Sequence, residues 1–171
     1  MAENDHARLN RFVSELLKIY RTCPAFYDQD SVGEGLQWIN ADDGYRSIYS
    51  FVRHGKDLKD NVLVVINFTP VDRSDYRVGL PCGAKLKLIL DSSDPRFAAE
   101  GVETESDKKK IYHTEKSECD NQPYSIAYPL PAYGVAFFEY KKEDIEPEIE
   151  DIKEEKEDTA SETKKRTTRL M

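Results

Sequence analysis

The side chains best suited to chemistry are few and scattered. Three histidines, His6, His54 and His113, and three cysteines, Cys23, Cys82 and Cys119, are the available nitrogen and sulfur ligands. No two of them have the spacing that would set both on one element, so no metal site is expected and no cofactor is implied. An odd cysteine count without a CxxC pair suits a reducing compartment and ordinary packing roles. Nucleophile motifs are missing too: there is no GxSxG, and no cysteine in a recognisable reactive context. The glycines make neither a GxGxxG nor a P-loop. Acids are plentiful, but most lie in turns or near the C-terminus, where nothing would hold two of them at a working distance. The sequence carries no self-contained active site.

What remains is non-covalent recognition. Trp38 is the sole tryptophan, and Tyr45, Tyr49, Tyr76, Tyr124, Tyr128 and Tyr133 lie in or beside strand-like runs. An exposed aromatic plane on a β domain can stack on a sugar ring, and core packing is the competing role at each position. Trp38, Tyr45 and Tyr76 are the candidates for such stacking. A formal net charge of -8 over 171 residues offers no basic stripe for phosphates and argues against nucleic acid. The first residues lack the apolar core of a signal peptide, and no run approaches the ~18 apolar residues of a membrane span. A cytoplasmic protein without a membrane partner is therefore expected. Asn67-Phe68-Thr69 matches the N-glycosylation pattern but ends an apolar strand in a chain with no export signal, and it is discounted.

The elements that must position these residues are one helix and a series of short strands. Residues 4–22 read as an amphipathic helix, with Leu9, Phe12, Val13, Leu16, Leu17 and Tyr20 drawing one apolar stripe. Asn4 or Asp5 can cap its start, and Pro24 stops it by disfavouring the helical region at Cys23. Seven β-branched and aromatic runs follow: 36–40, 46–53, 61–68, 75–79, 84–90, 123–130 and 133–141. Turn signals such as "ADDGY" and "LPCGA" separate them. This pattern predicts a mainly β fold, an antiparallel sandwich, with "VLVVI" as its central strand because it is apolar on both faces. In "RSIYSFVR", Ile48, Ser50 and Val52 share one face, and Tyr49, Phe51 and Arg53 the other.

A polar stretch of about thirty residues before "NQPYSI" is long for a hairpin connection; it is read as having a mobile tip and one weak strand near "KKIYHT". Residues 143–158 hold ten acids against two lysines, and the last thirteen hold Lys164, Lys165, Arg166 and Arg169 against Glu162. Few apolar residues are available there to offset the entropy of ordering, so a disordered, charged tail is expected from 142 to 171. The expected organisation is a helical segment 1–24, a β domain 25–141 and that tail.

Five stretches carry a family resemblance, in order: "LNRFVSELLKIYRTCPAFYDQD", "GLQWINADDGYRSIYSFVR", "DNVLVVINFTPVDRSDYRVGLP", "LKLILDSSDPRF" and "QPYSIAYPLPAYGVAFFE". Together they resemble the C-terminal end of glycogen (1,4-α-glucan) branching enzymes of the α-amylase superfamily. "WINADD" and the spaced "NFTPV-R--YR-G-P" are the most specific parts. The resemblance implies an α-amylase-type C-terminal all-β domain, preceded by the counterpart of the last helix of a (β/α)8 barrel. It implies a retaining transfer from α-1,4 to α-1,6 linkages whose two carboxylates lie in that barrel, outside this sequence. No catalytic residue is carried over, and the chain alone is expected to be inactive.

The same resemblance makes the catalytic barrel the expected partner and an α-glucan the expected ligand. Leu9, Phe12 and Leu16 of the helix become candidates for the domain interface. Arg73, Tyr76 and Arg77 would orient a turn near that interface, where the strand ending at Asn67 turns and re-enters its sheet. Two departures stand out: "AAEGVETESDKKK" where the family is Gly-rich, and "ECDNQPYS" where it has Trp-His or Trp-Asn before "GRPYS". The tail has no counterpart in the resemblance. Competing readings are a free-standing glucan-binding or regulatory module, and a structural protein that works through its charged tail. The apolar stripe itself has three possible covers: the chain's own sandwich, a second copy, or a separately encoded barrel.

Overall fold

A computed structural model describes residues 2–97 and 110–145. The proposed mobile tip and most of the charged tail lie outside the described residues. Helix α1 runs Ala2–Thr22. It ends where expected: Cys23 N donates to Ile19 O, and Pro24 opens a one-turn 3-10 helix, Pro24–Phe26.

The strands are β1 Leu36–Asn40, β2 Ile48–His54, β3 Asp60–Asn67, β4 Arg73–Leu80, β5 Lys85–Asp91, β6 Ile111–His113, β7 Tyr124–Leu130 and β8 Val135–Lys141. Six of them form one sheet in the order β1-β2-β3-β8-β5-β6, and β4 and β7 pair as a second sheet. Every named pairing is antiparallel. All seven runs read from the sequence are strands, and the weak one near "KKIYHT" is β6. The chain is mainly β: one helix followed by antiparallel sheets, six strands and two.

Side-chain alternation builds the core between the sheets. On β2, Ile48, Ser50, Val52 and His54 are buried, while Tyr49, Phe51 and Arg53 turn to the other face and are half-buried. Val52, Leu63, Val65, Phe138 and Tyr140 of the large sheet meet Val78, Leu80, Ile126, Tyr128 and Leu130 of the small one. Val62 to Val65 are buried on both faces of β3, as a central strand requires. The buried carboxylate of Asp91 is paired, whereas the buried Ser50 hydroxyl has no hydrogen-bond partner among the described residues. Tyr128 donates to Asp91 Oδ2 at 2.8 Å, and Asp91 also accepts from the Ser93 hydroxyl at 2.7 Å. Such pairing is what makes a buried carboxylate tolerable.

The outer face of the large sheet carries a second cluster. Ile19, Cys23 and Ala25 pack on Val62, Val64 and Leu90, with Phe12, Leu16, Phe26 and Phe137 around them. Phe12 meets Phe97 edge-on at 5.2 Å, and Phe26 meets Phe137 at 5.5 Å. The layers thus run helix, six-stranded sheet, two-stranded sheet. The helix does fold back on the sandwich, but with only part of its apolar surface.

One expectation about the connections is corrected. The stretch after Asn67 does not re-enter the same sheet. It crosses to β4 in the two-stranded sheet, so Arg73, Tyr76 and Arg77 lie on a strand rather than in a turn. Asn67 holds the crossing in place: its side-chain amide donates to Val71 O and Pro131 O, both at 2.9 Å.

Candidate functional site

Helix α1 divides its apolar residues between two stripes. Phe12, Leu16, Ile19 and Cys23 face the sheet. Leu9, Val13, Leu17 and Tyr20 are 63%, 41%, 55% and 48% exposed. At about 100° per residue this second stripe lies on the flank opposite Glu15, Lys18 and Thr22. Those three line a groove with Lys87, Ile89 and Lys110 on the β5–β6 side. The exposed stripe therefore looks toward β2 and β1.

That side of the sheet is aromatic. Trp38 stands opposite Phe51 in the β1–β2 register and meets it edge-on at 5.3 Å, yet remains 52% exposed. Tyr49, on the same face as Phe51, meets Phe68 at 5.7 Å, and Phe68 is 60% exposed. Tyr20 meets Tyr27 at 6.3 Å, which carries the apolar strip past the end of the helix. Arg53 ties the following segment down, donating to Ala25 O, Phe26 O and Asp30 Oδ1. Exposed apolar side chains on one side of the sheet make this side the candidate for an interaction surface.

The candidate residues fall in three places. Leu9 and Trp38 belong to this surface, whereas Phe12 and Leu16 are spent on the chain's own sheet. Tyr45 stands alone at the tip of the β1–β2 connection, fully exposed. Tyr76 is buried because it alternates inward on β4 with Val78 and Leu80. Its ring faces the Arg46 guanidinium at 5.4 Å, and burial pushes its hydroxyl up to about 12. Its face is thus not presented to a sugar. Arg46 in turn pairs with Asp43.

Arg77 points away from the two-stranded sheet, on the opposite side of the molecule from α1. It donates to Glu115 at 2.8 Å and to Ser125 Oγ at 2.9 Å, and the Glu115 bond raises its pKa. Arg73 is half-buried, with a buried Nε that has no hydrogen-bond partner. Leu9 and Arg77 therefore do not share one flat interface.

Reactive chemistry finds no cluster to use. Among the described residues, no group of three or more His, Cys, Asp or Glu is placed to hold a metal. His54 is buried and held on both sides. Asn61 donates to Leu58 O through its amide nitrogen, so its oxygen accepts from His54 Nδ1 at 2.7 Å, while Nε2 faces Gln37 at 3.2 Å. The thiols of Cys23 and Cys82 are pushed up by burial, and burial with Asp120 nearby takes Cys119 to about 11. Thiols so placed are poor nucleophiles at neutral pH. Among the described residues, no helix is long and apolar enough to cross a membrane.

Sequence reasoning missed the division of the helix, Tyr27 as a continuation of the exposed strip, and Phe68 as part of it. The signal for Phe68 was available: an aromatic residue directly after the last paired residue of a strand whose own side chains are buried on both faces.

Residues 38–141 match the family model "alpha amylase, C-terminal all-beta domain". The chain is 39% identical over 142 residues to the 1,4-alpha-glucan branching enzyme GlgB of Butyrivibrio fibrisolvens, covering 82% of this chain and 22% of that enzyme. It is 34% identical over 138 residues to the corresponding enzyme of a Nostoc species, covering 81% and 18%. To GlgB 1 of Clostridium perfringens it is 29% identical over 151 residues, covering 88% and 22%. The chain spans about a fifth of the length of these curated relatives. Two sheets built around a buried Val62–Val65 strand, the helix laid on their outer face and the family match from Trp38 to Lys141 agree: this chain belongs to the family of alpha amylase C-terminal all-β domains.

Proposed function

We propose that the chain serves as the C-terminal all-β domain of a 1,4-α-glucan branching enzyme, inactive by itself, and seats a catalytic barrel on the exposed flank of α1. The observation that carries this reading is the unburied half of the helix. Leu9, Val13, Leu17 and Tyr20 keep between 41% and 63% of their surface in water. Covering the remainder would contribute roughly 1 kcal/mol for each. Tyr27, Trp38 and Phe68 add further exposed aromatic surface that a partner could cover. The domain's part in the reaction would be to support the barrel and position glucan, while the retaining carboxylates act in the barrel.

The test uses the Butyrivibrio fibrisolvens enzyme shortened by the region that matches this chain. Co-expressed, the wild-type chain is expected to co-purify with it and restore branching, read as loss of iodine–amylose colour. A Leu17→Asp chain, still folded by circular dichroism, is expected to do neither. Absence of association by the wild-type chain would refute the reading.

Trp38 and Tyr45 favour a second reading, a domain that binds glucan itself, because both rings reach solvent. Affinity electrophoresis through glycogen tests it: retardation that Trp38→Ala abolishes supports a glucan site, and free migration of the wild-type chain rules it out.

A further inference from the structure

The turn between β1 and β2, residues 41–47, is fastened at both ends and in the middle. Asn40 at its start donates through Nδ2 to Asp120 Oδ1 at 2.9 Å, and Asp120 Oδ2 accepts from Gly79 N at 3.1 Å. Asp43 holds the middle: its carboxylate accepts from Arg46 N at 3.0 Å, and its carbonyl accepts from Ser47 N at 2.7 Å. Ser47, with φ at 50°, turns the chain into β2, and its carbonyl accepts from Phe68 N at 3.1 Å. A turn so fixed loses little conformational entropy when it binds. Two neighbouring side chains on it reach water. Tyr45 is 99% exposed. The Arg46 side chain is 42% exposed, yet its guanidinium is held: Nε pairs with Asp43, and the group stands over the Tyr76 ring at 5.4 Å. Among the described residues nothing accepts from its two Nη groups, so the outer donors of the fork are unused.

We propose that Tyr45 and Arg46 form a binding site for an α-glucan chain, one sugar ring stacking on Tyr45 and its hydroxyl oxygens accepting from the Arg46 guanidinium. The charge around the site selects this ligand class. Asp43 and Asp120 lie within electrostatic reach of Arg46, and Asp42 is exposed beside it. The guanidinium is thus charge-balanced and offers little net attraction to a phosphate or an acidic chain. What it does offer is directed hydrogen bonding next to an aromatic plane, which suits a neutral, hydroxyl-rich ring. Asp43 and Tyr76 are positioning residues that hold the guanidinium and touch no sugar. Tyr76, buried on β4, therefore serves the site through Arg46 rather than as a stacking face. The proposal rests on the reading of this domain as a glucan binder and places the site on the 41–47 turn rather than at Trp38.

The experiment is affinity electrophoresis of the full chain through glycogen, paired with amide NMR during titration with maltoheptaose. Tyr45→Ala is expected to weaken binding about tenfold, the effect of losing one stacked ring. Arg46→Lys keeps the charge but not the planar fork, and it should weaken binding several-fold. Shifts on adding maltoheptaose should fall on the amides of Gly44 to Ser47. Tyr45 is fully exposed, so Tyr45→Ala keeps the fold, and its amide spectrum verifies this. Retardation unchanged in Tyr45→Ala but lost in Trp38→Ala would leave the domain a glucan binder and overturn this site. Full binding by Arg46→Lys would overturn the role of the fork. A wild-type chain that migrates freely and shows no shifts would overturn the site and the glucan reading together.

Discussion

Ile19 and Leu17 sit two residues apart on one helix and should respond very differently to truncation. Ile19 is 8% exposed and packs among Val62, Val64 and Leu90, while Leu17 is 55% exposed. Cutting a large aliphatic side chain to alanine in a packed site costs about 2–5 kcal/mol. A helix lying on a sheet can settle partly into the gap, and alanine returns about 0.4 kcal/mol of helix propensity. The expected loss for Ile19→Ala is therefore about 2 kcal/mol, at the low end of that range. For Leu17→Ala, less than half of the side chain's burial is at stake, and the expected loss is below about 1 kcal/mol. Urea unfolding of the full chain, followed by circular dichroism at matched slope, separates the two values. In thermal unfolding Ile19→Ala should lower Tm by about 4–8 °C. Equal losses at the two positions would refute the division of α1 into a sheet-bound and a free stripe.

Arg53→Ala should cost about 1–2 kcal/mol and expose residues 27–35 to proteolysis, because it releases the carbonyls of Ala25 and Phe26 as well as Asp30. Unchanged proteolysis would show that the segment is held by other contacts. Gly79→Ala should destabilise by about 1–3 kcal/mol, since a methyl group there would stand 2.3 Å from the Cys119 carbonyl oxygen, a backbone atom that cannot swing aside. A neutral result in urea unfolding would mean that the 119–122 turn moves freely. Burial raises the hydroxyl of Tyr76 to about 12 and those of Tyr128 and Tyr140 further. The folded state thus holds these protons more tightly than the unfolded chain, whose tyrosines titrate near pH ~10. Stability should be intact below that pH and fall above it, by about 1.4 kcal/mol per pH unit for each tyrosine still protonated in the fold. A flat urea midpoint through this range would contradict the burial of these rings.

Much of the fold was legible because period and punctuation agree along the chain. Ile48, Ser50 and Val52 alternate cleanly with Tyr49, Phe51 and Arg53, and the structure buries the first set against the second sheet. Pro24 ended the helix for a local steric reason that no tertiary contact overrode. The partner of each strand was not legible. Nothing local to "DYRVG" says that it leaves the sheet of the strand before it, because a short connection serves a hairpin and a crossing equally well. What decides it is remote: Asn67 bonding Pro131 O, and Val78 facing Ile126 across the small sheet. Tyr76 was misplaced as a stacking face for the same reason, since its inward side is defined only once β4 has its sheet.

The helix shows a different kind of limit. Its six apolar residues were read as one stripe, yet Phe12 to Leu17 spans about 140° of the helix surface. A stripe that packs on one sheet needs an arc of about 100°. The surplus was present in the sequence as a width, and the width implies two neighbours where the pattern alone implies a buried face. The structure supplies the first neighbour, with Phe12, Leu16, Ile19 and Cys23 on the outer face of β3, β8 and β5. The barrel proposed as the second would approach from the β1–β2 side, where Trp38, Tyr49 and Phe68 already stand. A barrel docked there would touch helix and sheet at once, so its docking would clamp α1 to the sandwich and should raise the stability of both.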